Sequence, residues 1–260
     1  MVKSLTLVFA ALALCACASS GAANSGAKPQ QALDSSFLVT LPGPGTLTII
    51  GVSGRQSKRE TEIELAREDA ARKAAMYNGV RVSFETVQNI GANFFDYYTG
   101  SEINLEYDRE LEKYKDKLVF NEDRDLMAVD RGIMIRFNFA ALFPKSISYN
   151  FTRNLGGRPD WISNPPGDIN GLIAGIGYSG RLSRFRDTFE RSCDAAAADI
   201  VSRLSTVVTT KDTSVGYQNT SLIYQLSEGH LEHFLVLEIW IDPATQAVWT
   251  LAVAGNEMEI

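Results

Sequence analysis

The pattern of apolar and polar positions repeats along the chain. Residues 50–57 read IGVSGRQS and residues 176–183 read IGYSGRLS, which places Gly177 126 residues after Gly51. Each octapeptide is followed by small or apolar residues at the spacing i, i+3, i+7, i+11. The first set is Ile63, Ala66, Ala70 and Ala74, and the second is Phe189, Ser192, Ala196 and Ile200. This spacing predicts one buried helix face in each copy, and the small residues indicate a helix lying close against a sheet.

Each copy also ends in strand-like alternation, over residues 133–139 in the first and 234–241 in the second, with a final strand over 247–254. The order is strand, turn, helix, then two or three strands. We therefore predict an α+β fold with two tandem related modules, each a mostly antiparallel sheet with a long helix packed on one face.

The composition of the connecting stretches sets the predicted boundaries. These are a signal peptide at 1–16, a flexible tether at 17–36, a first module at 37–150, a Pro/Gly linker at 151–168 and a second module at 169–260. Residues 93–118 form an extra segment of the first copy, rich in aromatic and charged side chains, for which we expect a helix.

The N-terminus has the layout of a secretory signal, with Lys3 followed by an apolar run over residues 5–14. This run is too short to span a bilayer, which needs about 20 apolar residues. Around Cys17 the chain resembles a bacterial lipobox, with Leu14 at −3 and Ala16 at −1. We therefore predict lipidation of Cys17, and an ordinary cleaved signal peptide with an incidental cysteine is the alternative.

Composition narrows the class of protein. With 45% hydrophobic residues the chain can bury a core, and its formal charge of −6 without any basic stripe argues against a nucleic-acid partner. Cys193 is the one cysteine beyond the N-terminal segment, so an intramolecular disulfide is not expected there. Its alanine neighbours indicate a small buried residue.

A family resemblance rests on two motifs. Residues 159–166 read PDWISNPP, and residues 173–179 read IAGIGYS before an alanine-rich helix. These residues resemble the bacterial Lpp-twenty-type lipoprotein family, which includes surface antigens and is similar to modules of flagellar-assembly lipoproteins. The resemblance implies a non-enzymatic protein of the cell envelope.

Glycines and arginines recur at both strand-to-helix turns. Gly175, Gly177 and Gly180 match a dinucleotide-binding pattern, but the acidic residue that should end a following strand is missing. A tight turn is the simpler interpretation. Arg55 and Arg181, equivalent in the two copies, are candidates for binding an anion at the helix start. A surface salt bridge is the alternative for both.

The two histidines, His230 and His233, are three residues apart and would point to opposite faces of a strand. They could bind one metal ion only if the segment turns, so we expect solvated histidines at a hairpin entrance. We predict no catalytic residues, no metal and no cofactor.

Four rings in five residues, Phe94, Phe95, Tyr97 and Tyr98, exceed what one helix face can bury. We interpret them as a candidate protein-interaction surface. The alternative is that the interface between the two copies absorbs them.

These observations together predict a membrane-anchored envelope lipoprotein, at the periplasmic or surface face of the outer membrane. Its role would be structural or in protein interaction, for example in a surface or flagellar assembly, with the membrane and envelope proteins as partners. The alternative is a ligand- or glycan-binding lipoprotein that uses a cleft between the two modules. An enzyme is the third hypothesis, and the oligomeric state stays open.

Overall fold

The computed structural model describes residues 35–91, 98–141, 143, 147–153, 157–204, 207–215 and 218–256, all within the compact unit Ala32–Ile260. In a few strands it describes the backbone alone. The strands are β1 Leu47–Gly54, β2 Val80–Gly91, β3 Tyr98–Glu106, β4 Leu118–Val119, β5 Leu126–Val129, β6 Gly132–Phe139, β7 Asp168–Ile169, β8 Leu172–Ser179, β9 Val207–Val215, β10 Gln218–Ile241 and β11 Val248–Asn256. The helices are α1 Arg59–Asn78, α2 Glu112–Lys115, α3 Glu122–Asp125 and α4 Phe185–Leu204.

The strands form two antiparallel sheets, which confirms the α+β class. The first has the order β1-β6-β4, with β5 also paired to β6. The second has the order β3-β2-β10-β11-β8-β7, with β9 also paired to β10. Because β2 and β3 pair into the second sheet, that sheet contains strands from both predicted modules. A separate sheet for each module is therefore not confirmed.

The two long helices lie very close to the strands that precede them. A Cβ built on Gly51 would lie 2.0 Å from the carbonyl oxygen of Ala66, and one on Gly177 would lie 1.7 Å from that of Ser192. Ala66, Ala70 and the other members of the predicted stripe are buried, except Ile63, which is partly buried. The predicted buried helix faces are thus confirmed, and glycine is required because any side chain would collide with the helix backbone.

Polar side chains of the helices bind the strand edges that no neighbouring strand covers. Asp69 accepts a hydrogen bond from Val52 N at 2.8 Å, and Lys73 Nζ donates to Ile50 O at 2.7 Å. In α4, Asp199 accepts from Ile176 N at 2.8 Å. These bonds satisfy backbone groups that would otherwise be buried without a hydrogen-bond partner, or left free to pair with a strand of another chain.

The extra segment of the first copy is not the expected helix. Tyr98–Glu106 is strand β3, paired with β2, and only Glu112–Lys115 is helical near it. Ile103 and Leu105, two residues apart, lie on one face of β3 and pack against the core around α4. A spacing of two is the pattern of a half-buried strand, not of a helix. Tyr114, in this short helix, is buried.

The described part of the predicted linker packs against the second sheet and does not form a free connection between two modules. Trp161 is buried in a 3₁₀ turn, Asp160–Ile162, and β7 adds two residues to the edge of β8. Within the described part of the chain, no helix combines the length and apolar character that crossing a bilayer requires.

Gly177→Ala tests the close contact between helix and sheet. We expect it to lower the free energy of unfolding by about 3 kcal/mol, because the new methyl group must push α4 away from β8. Gly54→Ala is the matched control, since nothing lies within 4 Å of its added Cβ. Equal stability of the two variants in urea unfolding would contradict the contact.

Candidate binding surface

The second sheet has one face turned away from α4. On the helix side, Ser192 Oγ contacts Thr250 Oγ1 at 2.8 Å and donates to Gly177 O at 3.2 Å. Side chains alternate along a strand, so Tyr178 and Trp249 point to the opposite face. They are directly paired across β8 and β11, and Trp249 is paired in turn with Trp240 of β10.

These three residues, Tyr178, Trp249 and Trp240, form what we call the aromatic row. The rings of Tyr178 and Trp249 contact each other with their centroids 4.6 Å apart and an interplanar angle of 49°. Tyr178 is 50% exposed, and both tryptophans are partly exposed. The guanidinium of Arg158 lies over Trp249, 5.7 Å from the ring centroid. Three partly exposed rings, two of them in contact and one with a cation above it, thus lie side by side on the sheet.

A buried carboxylate fixes the linker beside the aromatic row. Glu238 is fully buried on β10, two residues before Trp240, and accepts a hydrogen bond from Trp161 Nε1 at 2.6 Å. Its other oxygen forms an ion pair with Arg153. Thr152 Oγ1 also donates to Asp160 at 2.6 Å. The Pro-Asp-Trp motif therefore serves to hold the linker on this face, and the aromatic row lies where that cover ends.

Hydrogen bonds, burial and nearby charges shift the pKa values of two groups around the aromatic row. The pKa of Asp242, in the turn after Trp240, is held below its ordinary value by the backbone N–H of Ala244, by Thr245 and by the positive charge of Arg158. Burial raises the pKa of Tyr149, and the negative charges of Glu238 and Asp160 raise it further. Asp242 and Arg158 therefore border the row as a charged pair of opposite sign.

The chain matches no family model, no curated protein and no solved structure.

The arginines predicted for anion binding occupy different settings. Arg55 is exposed and donates to Val129 O at 2.8 Å, with Glu62 3.9 Å away. Arg181 is exposed on the equivalent turn. Cys17, Phe94, Phe95 and Tyr97 lie outside the described residues. Tyr98 begins strand β3, and its side chain is not described.

The histidines are not at a hairpin entrance, because both lie within the long strand β10. His233 has a φ of 53° at an irregularity in the pairing with β11, and its ring contacts Tyr77 at 5.1 Å and Phe143 at 6.3 Å. His230 lies beside Gly79. Among the described residues, no three His, Cys, Asp or Glu side chains are grouped to hold a metal ion.

Buried charges join the two long helices. Burial alone would lower the pKa of Arg72, but the facing carboxylate of Asp194 raises it overall, so the guanidinium stays charged. Cys193 lies next to this pair, and burial raises the pKa of its thiol to about 12. The expected small buried cysteine is confirmed, and its thiol is unsuited to act as a nucleophile near neutral pH.

One cavity of about 370 Å³, its open mouth included, lies between β1, α1 and β10. Its walls are mostly apolar, and Lys73 and Tyr77 are among its lining residues. Lys73 Nζ already binds Asp69 at 2.6 Å and Ile50 O. The cation is thus committed to the edge of β1 and not to the cavity.

The aromatic row was missed by sequence reasoning, which looked for aromatic residues adjacent in the chain. Trp240 and Trp249 belong to separate predicted strands, and Tyr178 lies in the repeated turn motif. A usable signal was available, because a hairpin closed at residues 242–247 places the two tryptophans opposite one another.

Glu238→Gln tests the carboxylate that holds the linker. We expect a loss of about 3 kcal/mol of unfolding free energy, because the partly buried Arg153 loses its counter-charge. Tryptophan fluorescence should report the change, since all three tryptophans contact this face. Glu106→Gln, an exposed carboxylate on β3, is the control. Unchanged stability and emission in Glu238→Gln would overturn the role of Glu238.

Proposed function

We propose that this chain is a membrane-anchored lipoprotein of the cell envelope with a non-catalytic role in protein interaction, and that the aromatic row is its contact surface. The observation that carries the proposal is the exposed pair Tyr178 and Trp249 with Arg158 above it. Trp, Tyr and Arg are the residue types most enriched among those that dominate binding energy at protein interfaces.

The anchor in this proposal is lipid on Cys17. The lipobox-like residues around it and the small, polar tract that follows support a tether to a membrane, with the outer membrane as the proposed site. Multiple acyl chains hold a protein at a bilayer without a spanning helix, since each buried methylene adds about 0.8 kcal/mol. The resemblance to Lpp-twenty-type lipoproteins favours a surface or flagellar assembly as the setting.

Two tandem modules from one duplicated unit are the second part of the proposal. The helices α1 and α4 each have 20 residues and start 126 residues apart, the separation of the two glycines. Gln56 N donates to Glu62 at 2.9 Å, and at the equivalent positions Leu182 N donates to Thr188 at 3.2 Å. These matched contacts, which no sequence pattern required, support a common origin.

The duplication gives a reason why the aromatic row should bind a protein. Its residue Tyr178 is equivalent to Val52 of the first copy, which is completely buried. Val52 packs in one cluster with Phe189, Ile239 and Val248, all residues of the second copy. The same face of the unit thus already forms a protein interface in the first copy and is left open in the second.

Cys17→Ser should abolish metabolic labelling with palmitate and release the protein from the membrane fraction, because the acylated atom is removed. Cys15→Ser is the control and should keep both properties. Loss of labelling only in Cys15→Ser would show that the other cysteine is the anchor.

Tyr178→Ala should weaken crosslinking of the protein to its envelope partner in intact cells by at least tenfold, as expected for an interface residue worth about 1.4 kcal/mol or more. Val119→Ala, which removes an exposed apolar side chain far from the row in sequence, is the control. Recovery of the unmodified chain as a solitary species, or of identical crosslinks from both variants, would contradict the proposal.

A further inference from the structure

Three turns are joined by hydrogen bonds. The turn Asp130–Arg131 joins β5 to β6, and it lies between the two strand-to-helix turns that follow β1 and β8. Arg55 N donates to Arg131 O at 2.8 Å. The guanidinium of Arg131 in turn donates to Leu182 O and to Ser183 O, the latter at 3.0 Å. Arg131 therefore connects the repeated turns of both copies.

In the first copy, the repeated arginine already has partners. The guanidinium of Arg55 donates to Val129 O and Asp130 O, at 2.8 and 3.4 Å. The carboxylate of Glu62 lies 3.9 Å from it and is almost completely buried. The guanidinium of Arg55 thus has backbone acceptors and a nearby carboxylate, which Arg59 binds more closely, at 2.8 Å.

In the second copy, the equivalent arginine has neither kind of partner. Thr188 stands where the first copy has Glu62, so the turn is closed by a neutral hydroxyl instead of a carboxylate. Within the described part of the chain, Arg181 makes no hydrogen bond and no ion pair. The exchange of Glu62 for Thr188 leaves this turn with an uncompensated positive charge.

Arg181 also lies near a second cation. Burial lowers the pKa of Arg131 below its ordinary value, and the positive charge of Arg181 lowers it further. The carboxylates on the same turns, Asp130 and Asp187, form no ion pair with either arginine among the described residues. An anion that binds both guanidiniums would relieve this repulsion and gain donors from each.

We propose that Arg131 and Arg181 form a binding site for a phosphate group. Guanidiniums match the oxygens of a phosphate through paired N–H donors, which an ammonium group cannot do. The arginine side chains form the site, since the turn N–H groups of Gln56 and Leu182 are already bound by Glu62 and Thr188. The whole chain has a charge of −6, so attraction of an anion must come from this local cluster.

The test is a calorimetric titration of the full chain, carrying Cys17→Ser to remove the lipid, with inorganic pyrophosphate at low ionic strength. Arg181→Gln should weaken binding at least tenfold without lowering the melting temperature of the free protein. Among the described residues Arg181 makes no hydrogen bond or ion pair, and its loss removes a repulsion with Arg131. Arg81→Gln, which removes an exposed cation elsewhere, should bind like the parent. Equal losses in the two variants, or a parent that binds neither pyrophosphate nor the anionic vesicles described next, would overturn the site.

Two sources of phosphate are separated by sedimentation with vesicles. If the ligand is a lipid headgroup, phosphatidylglycerol vesicles should retain the Cys17→Ser chain, phosphatidylcholine vesicles should not, and Arg181→Gln should lose the retention. If the ligand is a soluble phosphate, pyrophosphate binds and neither vesicle does. Either result supports the site, whereas vesicle binding that Arg181→Gln does not weaken, without pyrophosphate binding, would overturn it.

Discussion

The contact between each long helix and a glycine of the preceding strand determines the rest of the architecture. With no side chain at Gly51 or Gly177, the helix backbone approaches within van der Waals distance of the sheet. At that distance short side chains such as Asp69 and Asp199 reach the free edge of the strand and bind its backbone. One face of each sheet is thereby covered by a helix, and the opposite face needs another cover.

Two different covers serve the two opposite faces. In the first sheet, Ile50 and Val52 pack against side chains of β10, β11 and α4. In the second sheet, the linker supplies the cover, and burying it requires the pairing of Glu238 with Arg153 and Trp161. A carboxylate without exposure is costly unless its oxygens are bound, so this pairing fixes the linker to one position. The linker reaches the aromatic row through Arg158, which lies over Trp249, and leaves the three rings partly exposed.

The spacing of apolar and polar residues predicted the helices and strands whose formation depends on residues close together in the chain. The two helices, their close approach to the sheet, and strands β6 and β11 followed from spacing and residue size. The tight turn expected at Gly175 and Gly177 was wrong, because both lie inside strand β8. The sharing of one sheet by both copies did not follow from spacing, because backbone pairing between β2 and β10 leaves no mark on side-chain alternation. For the same reason Tyr178 was missed, because it joins the two tryptophans of the hairpin only through the pairing of β8 with β11. The predicted lipidation of Cys17, in contrast, rests on a sequence motif alone.

The proposed duplication separates what is needed for folding from what differs between the copies. Glycines, helix length and the turn hydrogen bonds are kept, whereas side chains at equivalent positions change in charge or size. Lys73 binds a carbonyl group of β1, and at its equivalent position Asp199 binds an N–H group of β8, so the geometry persists although the charge is reversed. Val52 and Tyr178 differ because the first is covered by the other copy and the second is not. If folding fixes the shared positions, then function must be sought among those whose residue or surroundings differ, and Tyr178, half exposed within the aromatic row, is such a position.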